Sequence, residues 1–403
     1  MVIKNSIYLL VFSIFCSWLL FVSGCDHRMD ITPFLGPTDT KQADTSYAEM
    51  YPPWTGFTSP YRVIIGNDNF IYVADYGANK VLMLDEGGNI LKWRTILHPI
   101  SLAQNSKLDL YVGGETIAPN GIDTIGAIFR IYLARFDTSY IARIETTITA
   151  SQETVYTRFP RDTSLFFNND LGIAPMRTVW QEPARPTRRF PGIGIMGGNS
   201  YLVARTGSNN ASIVDPDTRV LQFTKGDTLA NLLPWLQTRP SGGSAITDIL
   251  DLTNIFILPS TPVRDFIVTQ NGPGIAFGAV WMVYVLNTNM DGWQAKFDPV
   301  YPDQRGIDFI RSYQYKSAVA VTYDKRRSEV FVLDSELDSV MKFTSKGTFK
   351  AESFGSFLTS QQGLPGLNHP MGIAFSSDCI LYIADTGNQL IRRFRLSNQT
   401  LCQ

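Results

Sequence analysis

Short apolar runs rich in Val, Ile, Tyr and Ala recur along the chain, each bounded by clusters of Asp, Gly, Asn and Ser. That punctuation marks strands joined by tight turns. The most complete unit is NHPMGIAFSSDCILYIADTGNQLIRRFRL at 368–396. It reads as a first strand (GIAF), a turn, a nearly continuous apolar strand ending in Asp385, a Gly/Asn turn and a third strand. The unbroken apolar run belongs to a strand covered on both faces by neighbouring sheets. A second copy lies at 59–91, where Pro60 matches Pro370 and Ile71-Tyr72-Val73-Ala74-Asp75 matches Leu381-Tyr382-Ile383-Ala384-Asp385. A third lies at 318–349, with Asp334 closing its central strand.

Fainter copies fit 99–115, 191–205 and 265–287, with Gly114, Arg205 and Asn287 where the Asp would stand. Together these predict six blades; strands at 128–136 and 140–149 leave room for a seventh. Asp75, Asp334 and Asp385 are expected to accept backbone N–H groups at the turn after the strand, with Gly77 and Gly387 supplying its permissive backbone. The spacing predicts long insertions at 154–190 and 224–261, and loops of such length in a compact domain are commonly functional.

The repeat resembles the NHL repeat and, more loosely, the six-bladed propeller lipoproteins of bacteria. The resemblance implies an all-β, six-bladed β-propeller. The last copy ends after its third strand, and an open sheet edge invites aggregation. The segment 46–57 is expected to pair into that blade; a partial strand at Leu401 and Cys402 is the alternative.

The N-terminus reads differently. An apolar run at 7–22, preceded by Lys4, has the form of a secretory signal. It ends Val22-Ser23-Gly24-Cys25, which resembles the bacterial lipobox and implies a lipid on Cys25. An ordinary signal peptide with an incidental cysteine is the other reading. The expected organisation is a signal peptide at 1–24, a flexible tether at 25–46 and the propeller at 47–403, lipid-anchored in a bacterial cell envelope on its extracytoplasmic side. An oxidising compartment would permit a disulfide between the two remaining mature cysteines, Cys379 and Cys402; two free thiols are the alternative.

Composition narrows the chemistry. A length of 403 residues fits one closed repeat body, and a net charge of -1 gives no whole-protein attraction to nucleic acid, which is not an expected partner. Gly192-Ile193-Gly194-Ile195-Met196-Gly197 matches the dinucleotide fingerprint but lacks its strand-before, helix-after setting. His98-Pro99 and His369-Pro370 occupy equivalent repeat positions near the expected mouth of the central channel. Zinc-dependent amidating lyases resemble such propellers and use channel histidines, but a third imidazole is missing here, Ser59 standing in its place. Gluconolactonase-type propellers use oxygen ligands around calcium, and no spacing picks out such a set. Arg177, Trp180, Arg185, Arg188 and Arg189, with Phe190, form a basic, aromatic stretch suited to an anionic glycan, a peptide or a membrane surface; solvated surface charge is the plainer reading.

The function expected from these features is that of a monomeric binding or scaffold module. It would take a peptide, protein or carbohydrate through its rim loops, with no cofactor. The alternative is a metal-dependent lyase or lactonase using Zn or Ca in the central channel, with His98 and His369 as first ligands.

Overall fold

The computed structural model describes residues 47–133, 144–148, 154–158, 171–172, 174–259, 265–285, 292–297, 306–350, 353–355 and 366–396, with 144–148 and 154–158 described as backbone only. Cys25, Cys402 and the whole of 1–46, including the expected signal and tether, lie outside these residues.

The described strands form six four-stranded sheets. Blade one comprises Pro60–Ile65, Ile71–Asp75, Lys80–Leu84 and Ile90–Thr95; blade two Leu97–Gln104, Asp109–Ile117, Thr124–Tyr132 and Met176–Gln181. Blade three comprises Arg189–Ile195, Tyr201–Thr206, Arg219–Phe223 and Leu229–Leu232; blade four Leu252–Ile257, Phe266–Gln270, Ala279–Val285 and Gly292–Ala295. Blade five comprises Ala318–Asp324, Glu329–Asp334, Ser339–Thr344 and Phe354–Gly355. Blade six takes Gly372–Phe375, Ile380–Asp385 and Leu390–Leu396 from the chain's end and Tyr47–Trp54 from its beginning. The first strands of successive blades touch one another in order, and that of blade six touches that of blade one, so the sheets close into a ring.

The ring is held by one apolar position repeated in every second strand. Val73, Val112, Val203, Val268, Val332 and Ile383 are all 0% exposed and occupy the same register against their first strands. Branched side chains at this level fill the space between adjacent sheets, the stacking that a closed repeat needs.

Closure by the N-terminal segment is as expected. Tyr47 pairs with Leu396 and Trp54 with Ile391, with a bulge between Met50 and Trp54. The Arg392 guanidinium, 0% exposed, donates through Nε to Glu49 Oε1 at 2.7 Å and through Nη2 to Glu49 Oε2 at 2.6 Å. A bidentate pair of this geometry fixes the orientation of the incoming strand as well as its position.

The expected turn aspartates behave as such. Asp75 accepts the backbone N–H of Thr58 at 2.8 Å and of Ser59 at 2.7 Å, tying the segment before the first strand to the end of the second. Asp334 does the same for Lys316 and Ser317, and Asp385 for Asn368. Burial holds the carboxyls of Asp334 and Asp385 above the usual carboxylate range.

Blade four corrects the repeat reading by one strand. Its innermost strand is Leu252–Ile257, not a strand beginning at Asp265, and the Asp-equivalent residue is Gln270, not Asn287, which lies outside the described residues. Gln270 Oε1 accepts Leu250 N–H at 2.9 Å while its Nε2 donates to Asp248 O and Phe277 O, so a neutral amide does the tying there. The slip has a physical cause. The third strand begins with four buried residues, Ala279 to Met282, because Phe297 and Phe309 pack edge-on or tilted around Trp281, and a covered third strand carries the apolar signal of an inner one.

The expected insertions shift accordingly. The stretch 224–261 is largely blade, since it holds the fourth strand of blade three and the first of blade four. The other insertion opens within blade two, between Tyr132 and Met176, where Ile144–Ile148 and Thr154–Arg158 pair as a separate two-stranded sheet, and among the described residues no seventh blade forms. Cys379 is 1% exposed and disulfide-bonded. Cys402, the partner expected from the sequence, lies outside the described residues.

Candidate functional site: a blind central cavity

The first strands line a central channel, and one side chain crosses it. Arg62 stands on the first strand of blade one at the register level of Ser101, Gly192, Asn254, Ala320 and Gly372 in the other blades. Its Nε donates to Ile100 O at 3.3 Å, Nη1 to Val319 O at 3.0 Å and Met371 O at 2.9 Å, and Nη2 to Pro191 O at 3.3 Å and Thr253 O at 3.2 Å. These carbonyls come from blades two, five, six, three and four. A guanidinium has five N–H groups in one plane, so each finds a different blade and the plane lies across the channel.

Two glycines at this level let the first strands of adjacent blades approach closely. A Cβ on Gly372 would come within 2.8 Å of Arg62 Cα, and one on Gly192 within 2.3 Å of Ile255 N. The glycines of the GIGIMG stretch thus serve blade contact, as Gly194 also does against Ile257. Arg62 is 4% exposed, and among the described residues no carboxylate pairs with it. Burial draws its pKa down to about 10, with Tyr61 opposing.

Beyond Arg62 the channel widens into a cavity of about 420 Å³ that opens toward the turns between first and second strands. Its walls include Ile64, Ile65, Ile195, Phe256, Ile257, Tyr323 and Phe375, all part-exposed, with Gln104, Asn254 and Thr322 as polar points and Asn67 and Pro259 at the rim. Its size suits a small ligand or a chain end. No lining residue is an acid, an imidazole or a thiol, and among the described residues no group of three or more His, Cys, Asp or Glu is placed to hold a metal ion.

His98 and His369 are equivalent in structure, as in sequence. Both take a positive φ, 40° and 46°, and each backbone N–H is accepted by a turn side chain of the preceding blade, Asn79 at 2.9 Å and Asp338 at 2.7 Å. They precede the level of Arg62 on their strands and so lie on the other side of it from the cavity. His98 pairs with Glu115 at 2.9 Å and stacks on Tyr76, ring centroids 4.6 Å apart; His369 pairs with Asn368.

The basic stretch is brought together but turned inward. Arg188, with a side chain 5% exposed, pairs with Glu182, with Asp215 at 2.7 Å and with Asp217 at 2.8 Å. Arg189 meets Glu115 at 2.6 Å, Arg177 meets Asp227, and Arg185 approaches Asp215 at 3.8 Å. Trp180 donates to Glu182 and packs edge-on against Phe223. Arg205, at the Asp-equivalent place of blade three, joins the same network through Glu182 and Asp215. Charges of both signs meet at the junction of blades two and three, where each neutralises its neighbours and removing one would leave another unpaired. Arg177 and Arg185 remain the more exposed members, at 51% and 36%.

Sequence reasoning missed Arg62. The signal was present: aligned on the repeat, one large cation stands where the other blades carry Ser, Gly, Asn, Ala and Gly.

No protein-family model and no curated protein sequence matches the chain. Solved structures do. An auxiliary nutrient binding protein from Bacteroides thetaiotaomicron is similar over 85% of this chain and 70% of its own, with 10% identity and a TM-score of 0.52. The PQQ-bound aldose sugar dehydrogenase of Streptomyces coelicolor is similar over 89% of this chain and 100% of its own, with 11% identity and a TM-score of 0.52. A gluconolactonase from Xanthomonas campestris covers 89% and 99%, with 10% identity and a TM-score of 0.47. At such identities the likeness is one of fold. Fold and site together define a six-bladed β-propeller whose channel is stopped by an arginine and left open as a cavity on one side.

Proposed function

We propose that the protein is an envelope-anchored binding module that takes a peptide, protein or carbohydrate at the open face of the ring, with the central cavity receiving part of the ligand. The observation that carries this reading is the cavity itself: apolar walls, three amides, the hydroxyls of Thr322 and Tyr323, a cationic floor, and no carboxylate, imidazole or thiol in the lining. The fold alone does not choose, since one similar structure is a nutrient binding protein and another a sugar dehydrogenase. Exposed Arg177 and Arg185 supply a secondary contact for an anionic partner. The lipid on Cys25 would hold the module at a membrane surface.

Thermal-shift screening of the purified protein against peptides and oligosaccharides tests the binding role. A ligand at about a hundred times its Kd adds about 2.7 kcal/mol of stability, and Ile65→Trp, which fills the cavity, should abolish that gain. Turnover of a lactone that is lost on chelation and in Ile65→Trp would sink the reading. Anchoring is tested separately: mass spectrometry of the N-terminal fragment should find acyl chains on Cys25 and none in Cys25→Ser.

A further inference from the structure

A second cavity, of about 440 Å³, lies between blades three and four. It is lined by Ser200 from the turn between the first two strands of blade three, Gln222 and Asn231 from that blade's outer strands, Trp235 beyond them, and Tyr284 and Trp293 from the outer strands of blade four. No charged residue lines it.

Its aromatic side is built. Trp293 is 8% exposed and meets Phe266 edge-on at 4.7 Å and Tyr284 edge-on at 5.2 Å, so the rings hold one another in place. Trp235 is 37% exposed, and its indole lies close over Gly292, where any Cβ would come within 2.8 Å of the ring. A glycine is needed there for the indole to sit as it does. The polar side is unspent. Among the described residues no hydrogen bond engages the amide of Gln222 or the hydroxyl of Ser200, and Asn231 uses its carbonyl oxygen on Leu232 N–H at 2.8 Å while its NH₂ group remains directed to neither backbone nor side chain.

A ligand matching this wall must be neutral, offer a flat apolar face to an indole, and carry several groups that both donate and accept hydrogen bonds. Amides and a hydroxyl serve either role, and an aromatic face contributes through contact area without demanding charge. A sugar ring meets all three conditions, with a C–H face and hydroxyls around its edge. We propose that this cleft is a binding site for a neutral carbohydrate, stacked on Trp235 and hydrogen-bonded by Gln222, Asn231 and Ser200. The site is separate from the central cavity and does not depend on the role given to it.

Calorimetric titration of the full chain with neutral gluco-, manno- and xylo-oligosaccharides tests the assignment, with an oligoproline peptide run in parallel. At least one oligosaccharide should bind, about tenfold more weakly in Trp235→Ala, more weakly in Gln222→Leu, and unchanged in Ile65→Trp. Folding of each variant is checked by its thermal transition, and Trp235→Phe, which keeps a ring, should retain part of the affinity. The proposal is overturned if no oligosaccharide binds at millimolar concentration, if binding is indifferent to Trp235→Ala, or if only the oligoproline peptide binds. Loss in Ile65→Trp with Trp235→Ala unaffected would assign the sugar to the central cavity and likewise overturn it.

Discussion

Arg62 Nη2 and the carbonyl oxygen of Thr253, 191 positions apart in the chain, lie 3.2 Å apart across the axis of the ring. Equivalent bonds run from the same guanidinium to four other blades. Arg62→Met removes all five and leaves their acceptors at the centre of the ring. The expected cost is about 3 kcal/mol, the range for losing buried hydrogen bonds to a charged group after water takes over part of them. Arg62→Lys, with three donors, should fall between. Urea unfolding measures both, and a Met variant as stable as the parent would show that the plug contributes nothing to closure.

The lock on the N-terminal strand gives a second expectation. Glu49→Ala removes the bidentate partner of the fully buried Arg392, which also meets Asp385 at 3.2 Å. Breaking a buried pair from one side costs about 3–5 kcal/mol. Unfolding should start in blade six, visible as early hydrogen exchange in Leu390–Leu396, and the freed edge should promote self-association in size-exclusion runs.

Lys296 gives a pH dependence with a defined sign. Its ammonium lies 3.4 Å from the Trp281 ring centroid and donates to Ser345 O, and burial draws its pKa from 10.5 down to about 8 although Asp265 opposes the shift. Between these values the folded protein binds fewer protons than the unfolded chain, so burying this group carries a penalty that is full below about pH 8 and is relieved as pH rises through the window. Relative to Lys296→Met, the parent should therefore be least favoured at pH 7 and recover toward pH 10. Paired thermal melts at the two pH values check it; a difference independent of pH would count against the shift.

Gly192→Ala places a methyl within 2.3 Å of Ile255 N in the neighbouring blade. Overpacking of this kind costs about 1–3 kcal/mol, whereas Gly198→Ala meets nothing within 4 Å and carries only the strain of its φ of 77°. The former should lower the unfolding midpoint more. Equal effects would mean that the blades move apart without penalty.

How much of this was legible depended on whether a residue's role repeats. Asp75, Asp334 and Asp385 recur at one register with one job, so the sequence pattern exposed them, and the missing fourth strand of the last blade pointed to Tyr47–Trp54. Blade four slipped because Trp281, Phe297 and Phe309 bury its third strand, while Gln270 does an aspartate's work without an aspartate's letter. The arginine stretch was visible as charge, but of its carboxylates only Glu182 lies within it; Glu115, Asp215, Asp217 and Asp227 are gathered by the fold. The aromatic cleft was invisible for the same reason, being split between Trp235 and Trp293 on two blades.

The crossing of the channel by Arg62 also sets a limit on symmetry. A ring axis has room for a single such side chain, so the occupant must come from one blade while the other five carry shorter, uncharged residues at that level. Copying blade one around the ring would crowd like charges onto one line, and copying any other blade would leave the axis unfilled. A perfectly repeated version of this propeller is therefore excluded by its own centre. Divergence among the six units is in that respect a structural requirement, imposed where the symmetry is highest.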